Sequence, residues 1–274
     1  MELRFIIVLA SVLAIGACSD EADPVSVEND GPDEDLGMLW VKHAAEYDAL
    51  SMQAYHQAER ALPGFVADKN WTALPGQNNA RYLPPAIIID VDETSLSGVD
   101  FQLSLDEPVT MANLNRWYVE NESRPVAGFT RFTTTARAAG VELFFVTNRP
   151  CEPIDGVDSA CPYEATVINA LHQAGVDVDA DHVLLANEKP AWSKEKSVRY
   201  DEIARTHRII MLFGDDLNDF IPCVRAEPVA PCSEPATAES RDRKVMQFAG
   251  YWGNGWYLLP NPMHGSWTSV REGM

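Results

Sequence analysis

Several side chains able to do chemistry together sit directly behind short apolar runs. Asp90, Asp92 and Thr94 follow residues 86–89, Thr147 and Asn148 follow residues 141–146, and Asp215, Asp216 and Asp219 follow residues 209–213. Carboxylates from separated stretches repel one another when they converge, unless a cation lies between them. An all-oxygen set of this kind suits a hard ion, and Mg²⁺ is the expected cofactor. In Asp90-Val91-Asp92, a turn after the strand lets one carboxylate face an electrophile and the other reach a leaving oxygen. One attacks and the other moves a proton. A lone Asp-x-Asp is common in surface turns. The ordered set of strand-DxDxT, strand-Thr, a downstream lysine and strand-GDDxxD is far more specific.

These residues need a scaffold. The runs at 86–89, 141–146, 183–185 and 209–213 are continuous and apolar, which marks strands covered on both faces, as in a parallel sheet. Helical stretches at 129–139, 163–174 and 194–206 alternate with them, the first two stopped by Gly140 and Gly175. The β-α-β-α order predicts an α/β fold with polar residues gathered beyond the carboxyl ends of the strands. A helix is expected over residues 39–62, with Trp40, Ala44, Tyr47, Ala54, Ala58 and Ala61 on its packing face and Pro63-Gly64 stopping it. Residues 95–125 interrupt the alternation after the first strand and read as a small cap over the strand ends.

Five segments carry a resemblance. They are residues 88–96 (IIDVDETSL), 144–149 (FFVTNR), 196–200 (KSVRY), 213–220 (FGDDLNDF) and 259–267 (LPNPMHGSW), with Tyr47 and Gln53-Ala54-Tyr55 in support. The chain resembles the haloacid dehalogenase-like phosphohydrolases, and within them the class C acid phosphatases, the bacterial outer-membrane lipoprotein acid phosphatase/5′-nucleotidase group. The resemblance spans nearly everything after about residue 37. It implies a Rossmann-like parallel sheet with a small cap. It also implies a Mg²⁺-dependent enzyme that hydrolyses phosphomonoesters, nucleoside 5′-monophosphates among them, through a phosphoaspartate. Asp90 would be nucleophile and metal ligand. Asp92 would be general acid and base, with its backbone carbonyl on the metal. Thr147, Asn148 and Lys196 would hold the phosphoryl group. Asp215 would bind Mg²⁺ directly, and Asp219 would support the metal site. Lys194 competes with Lys196 for the catalytic place. His264 reads as a packed or exposed histidine.

The family commonly has Asp-Asn where Ser97-Gly98 stand, and an aromatic where Met263-His264 stand. Phe101, Trp117, Trp252 and Tyr257 are the aromatics available to stack on a nucleoside base, with core packing as the competing role. A phosphotransferase using an alcohol acceptor and a non-catalytic surface lipoprotein are the alternative functions. The joint presence of the site residues opposes the second.

The chain has 274 residues, 46% of them hydrophobic, and a net charge of −20 from 41 acidic and 21 basic side chains. That surface repels nucleic-acid polymers, and a small phosphomonoester is the expected partner. Residues 1–17 read as a signal peptide ending Ile15-Gly16-Ala17 before Cys18, a lipobox-like junction. Cys18 would carry the lipid, leaning towards the bacterial outer membrane. The membrane would be met through that anchor only. Residues 18–37, acidic and free of Lys and Arg, read as a tether, and residues 38–274 as the phosphatase domain. Export and proximity favour two disulfides, Cys151–Cys161 and Cys223–Cys232, among three possible pairings.

Overall fold

The computed structural model describes residues 36–104, 110–120, 124–154 and 157–270. The signal peptide, Cys18 and almost all of the tether lie outside the described residues. Among the described helices, none is long and apolar enough to cross a membrane.

In chain order the elements are α1 (Leu36–His43), α2 (Ala45–Ala67), β1 (Pro85–Ile89), β2 (Leu96–Ser97), α3 (Val99–Leu103), α4 (Met111–Glu120), β3 (Arg124–Pro125), α5 (Phe129–Ala138), β4 (Glu142–Pro150), α6 (Pro162–Gln173), β5 (Val183–Ala186), α7 (Ser197–Ile203), β6 (Arg208–Gly214), α8 (Ala238–Gln247) and β7 (Trp256–Leu258). Five strands form one sheet in the order β5-β4-β1-β6-β7, and every pairing in it is parallel. The α/β expectation is met, and all four apolar runs are strands. β7 was not foreseen: Trp256-Tyr257-Leu258 is too short and aromatic-rich to display a strand pattern.

Along β1 the side chains alternate. Ile87 and Ile89 join the core on one face, with Phe129 and Phe132 of α5 and Tyr55 of α2. Ala86 and Ile88 join the core on the other, with Tyr200 of α7 and Trp256. A strand buried on both faces shows no polar alternation, which is why the run is continuous.

Two helix boundaries differ from expectation. The long N-terminal helix breaks at Ala44, whose backbone is extended, so α1 and α2 are separate. At the other end α2 runs through Pro63 to Ala67. Burial of Leu62 and Phe65 on either side of exposed Pro63 outweighs the lost backbone bond. Arg208, fully buried at the start of β6, then donates to the carbonyls of Phe65, Val66, Asp68 and Trp71, satisfying the helix's last acceptors. The third expected helix begins at Ser197 rather than residue 194.

The insert after β1 is present. β2 and β3 pair antiparallel at its base, with α3 and α4 between them. Both expected disulfides are present, Cys151–Cys161 and Cys223–Cys232.

Candidate active site

The carboxyl ends of β1, β4 and β6 lie side by side, and the chemistry gathers there. Asp90 continues β1, its N–H donating to Phe213 of β6 at 3.0 Å. Ser95 Oγ donates to the Asp90 carbonyl at 2.6 Å, and Tyr55 Oη donates to the Thr94 carbonyl at 2.8 Å, so the turn after β1 is pinned from two sides. Lys196 Nζ, buried at 2% residue exposure, lies between two carboxylates. It donates to Asp90 and, at 2.6 Å, to Asp219.

Asp90, Asp215 and Asp219 each offer an oxygen within 4.8 Å of the other two, a cluster able to hold a metal ion. Asp215 is positioned by Thr94 Oγ1 (3.2 Å) and Asn261 Nδ2 (2.7 Å). Burial, followed by repulsion from Asp90 and Asp219, pushes the Asp215 carboxyl well above the carboxylate range. Burial also raises Asp219, offset by Lys196, to about 7. For Lys196, burial favours losing the proton, but Asp219 and Asp90 outweigh it and raise its pKa. Three converging carboxylates facing one ammonium lack cationic charge. A hard divalent ion among these oxygens, with Mg²⁺ chemistry, fits the donor set. The other Cys/Asp/Glu grouping among the described residues, Glu195 with Cys223 and Cys232, has its sulfurs tied in a disulfide.

Asp92 stands apart from that cluster. Arg149 grips it bidentately, Nη2 to Oδ1 at 2.6 Å and Nε to Oδ2 at 3.1 Å, and Thr147 Oγ1 donates to Oδ2 at 3.4 Å. Burial would raise the Asp92 carboxyl, but Arg149 holds it below its ordinary value. The Arg149 N–H donates to Thr147 Oγ1 at 3.1 Å, so the end of β4 curls around its own hydroxyl. Arg199, fully buried on α7, donates to the Thr147 carbonyl and to Asn148 Oδ1 (2.7 Å), locking the end of β4 to the helix that follows Lys196.

A cleft of about 600 Å³ opens beside Asp92, lined by Phe101 and Leu114 of the insert and by Asn148, Lys194, Arg225 and His264 among others. Trp117 packs on Phe101 with ring centroids 6.1 Å apart. Trp252 and Tyr257 are elsewhere. Tyr257 is buried and stacked on Phe213 (5.0 Å), and Trp252 packs edge-on against Phe220 and Trp256. Both line a different groove, with Gln53 and Gln57 of α2. The two candidate lysines differ in place: Lys196 is in the carboxylate cluster, and Lys194 is exposed in the cleft lining.

Residues 36–267 match the family model of the haloacid dehalogenase superfamily, subfamily IIIB, the acid phosphatases. The chain belongs to this family. It is an acid phosphatase, a phosphomonoesterase of the hydrolase class. Among solved structures it is similar to the class C acid phosphatase from Bacillus anthracis, at 24% identity and TM-score 0.64 over 85% of both chains. A second structure of that protein, with tungstate bound, aligns at 23% identity and TM-score 0.66 over 85% of both chains. No curated protein matches the chain.

Four residues of this phosphatase that sequence reasoning left without a role prove central to its site: Arg149, Arg199, Glu93 and Asn261. All four lie inside the quoted motifs; a charged residue ending an apolar strand is the signal that points to Arg149, whereas Arg199 sits on α7, where no local pattern marks it. Glu93 is 1% exposed with a left-handed backbone (φ 62°). One of its carboxylate oxygens accepts the Gly98 N–H at 2.7 Å, and the other has no hydrogen-bond partner among the described residues. Burial pushes its pKa up to about 8. Asp216 is structural: Asn218 donates to it at 2.8 Å and Ser266 donates to its other oxygen, tying the C-terminal segment to the site.

Proposed function

We propose that this acid phosphatase is Mg²⁺-dependent and hydrolyses small phosphomonoesters, nucleoside 5′-monophosphates among them, through a phosphoaspartate on Asp90. The observation that carries this reading is the placement of Lys196 between Asp90 and Asp219, in one cluster with Asp215. A buried lysine orients the nucleophile and offsets charge on an incoming phosphoryl group, and the clustered carboxylates supply a cation site beside it.

Asp90, Asp215 and Asp219 would hold the ion, which when bound would neutralise charge on the phosphoryl oxygens. The Asp90 carboxylate attacks phosphorus, and the ester P–O bond breaks as the Asp90–phosphorus bond forms. Asp92 gives a proton to the departing alkoxide. It then takes one from the water that hydrolyses the acyl phosphate, which releases inorganic phosphate and restores Asp90. Thr147 and Lys196 donate to the phosphoryl oxygens. Phe101 and Leu114 give the cleft an apolar wall against which a nucleoside would rest. One solved structure of the Bacillus anthracis relative holds tungstate, a tetrahedral oxyanion of phosphate-like shape.

The test is phosphate release from p-nitrophenyl phosphate and adenosine 5′-monophosphate after chelation and stepwise return of Mg²⁺. Activity should vanish with the chelator and return with the ion. Asp90→Asn should lower kcat by about 10³-fold or more with folding intact. Undiminished turnover by that variant would overturn the nucleophile assignment.

A further inference from the structure

We propose that Arg225 and Lys194, in the lining of the cleft, form a second anion subsite, and that preferred substrates are phosphomonoesters carrying another negatively charged group. The inference rests on the phosphomonoesterase reading above and narrows it.

In a chain of net charge −20, cations in the lining of one cleft stand against the prevailing field. Of the acidic side chains lining the same cleft, Asp92 is ion-paired with Arg149, whereas Glu93 and Glu152 accept hydrogen bonds from neutral groups, the Gly98 N–H and, at 3.1 Å, Asn187. Lys194 and Arg225 form no ion pair with any described residue, so no carboxylate at ion-pair distance holds either of them.

Arg225 is held for this purpose. Its Nε donates to Asn218 Oδ1 at 2.9 Å, and Asn218 is 3% exposed. Asn218 Nδ2 donates in turn to buried Glu195, whose other oxygen accepts the Cys223 N–H at 2.9 Å. Cys223 stands two residues before Arg225 and is closed to Cys232 by the disulfide. With Nε anchored, the two terminal nitrogens remain for a ligand, and a guanidinium fork suits a carboxylate or phosphate. Lys194 stands between buried Trp192 and buried Glu195, on a turn tied down by Ser193 Oγ donating to the Ala230 carbonyl at 2.5 Å.

The subsite is registered to the chemistry. Asn218, which holds Arg225, is the chain neighbour of Asp219. Glu195, which holds Asn218, is the chain neighbour of Lys196. The reacting phosphoryl group is served by buried Lys196, whereas Lys194 and Arg225 lie in the cleft lining, where the rest of the substrate must extend.

The test compares kcat/KM within two substrate pairs at fixed Mg²⁺: adenosine 3′,5′-bisphosphate against adenosine 5′-monophosphate, and 4-carboxyphenyl phosphate against phenyl phosphate. The wild type should favour the doubly anionic member about ten-fold or more in at least one pair. Arg225→Ala and the exposed Lys194→Ala should each cut that ratio several-fold, while Arg225→Lys should keep most of it. No preference in either pair, or variants that slow both members equally, would overturn the subsite. A wild type that turned over none of the four substrates would instead overturn the phosphomonoesterase reading itself.

Discussion

Asp92 shows how one neighbour sets what a carboxylate can do. It is gripped at both oxygens by a guanidinium that is itself almost wholly buried, while its own side chain stays 30% exposed towards the cleft. Such a fork fixes the plane of the carboxylate and favours its ionised form, the form that takes the proton of the hydrolytic water. Arg149 is therefore a positioning residue for proton transfer. A p-nitrophenolate leaves readily without a proton, whereas an alkoxide needs one. Arg149→Ala should lower kcat/KM for glycerol 2-phosphate by about 10²-fold and for p-nitrophenyl phosphate by about ten-fold at most. Equal losses on both substrates would mean that Arg149 serves only folding. The sequence placed Asp92 in the motif but could not supply its partner, because Arg149 lies 57 residues further along the chain.

Among the elements, the turn after β6 depends on a residue chosen for what it lacks. A Cβ on Gly214 would lie 2.2 Å from Asp219 Cβ and 2.3 Å from Asp219 Oδ2. The short helical turn at Leu217–Asp219 folds back over the strand end, and its carboxylate donor passes through the space a side chain would fill. Asp219 Oδ2 also accepts the Asp216 N–H at 3.0 Å, completing a reciprocal cap that fixes the turn. Gly214→Ala should push Asp219 away from Lys196 and from the carboxylates of Asp90 and Asp215. The expected outcome is a kcat loss on the order of 10²-fold with weaker Mg²⁺ binding by calorimetry, and destabilisation of about 1–3 kcal/mol. Unchanged Mg²⁺ affinity would refute this account of the glycine. The strands were legible because double-sided burial leaves continuous apolar runs. The break at Ala44 and the passage through Pro63 were not, because tertiary packing of Tyr47, Leu62 and Phe65 overrides local propensity.

For the molecule as a whole, buried carboxyls link stability to pH. Glu93 has its folded pKa raised from 4.5 to about 8 by burial. A raised carboxyl binds its proton more tightly in the folded state. Its contribution is thus full below the unfolded pKa and is lost as pH rises through the folded one. With chelator present, so that no cation biases the neighbouring carboxylates, the wild type should lose stability between pH 4.5 and 8. Glu93→Gln, which keeps an acceptor for the Gly98 N–H, should remove Glu93's share of that slope and leave the share of Asp215 and Asp219. The difference should be on the order of a few kcal/mol across the window, read by urea denaturation at each pH. Parallel curves for the two proteins would show that Glu93 ionises normally.

The amino-acid sequence by itself determined the parallel α/β architecture and the strand ends that bear the acidic motifs, and it favoured the pairing of neighbouring cysteines among three possibilities. Each of those depends on residues close together in the chain: a buried run, its terminal carboxylate, a short loop. Tertiary structure alone decided that Lys196 rather than Lys194 meets Asp90, a contact spanning 106 residues. It alone seated Arg149 on Asp92, and it put Phe101 on the cleft while Trp252 and Tyr257 went to another groove. Those outcomes depend on which side of the sheet each segment returns to, and on the direction in which a side chain leaves its backbone. No local pattern encodes either, because convergence is a property of the packed layers rather than of any single stretch.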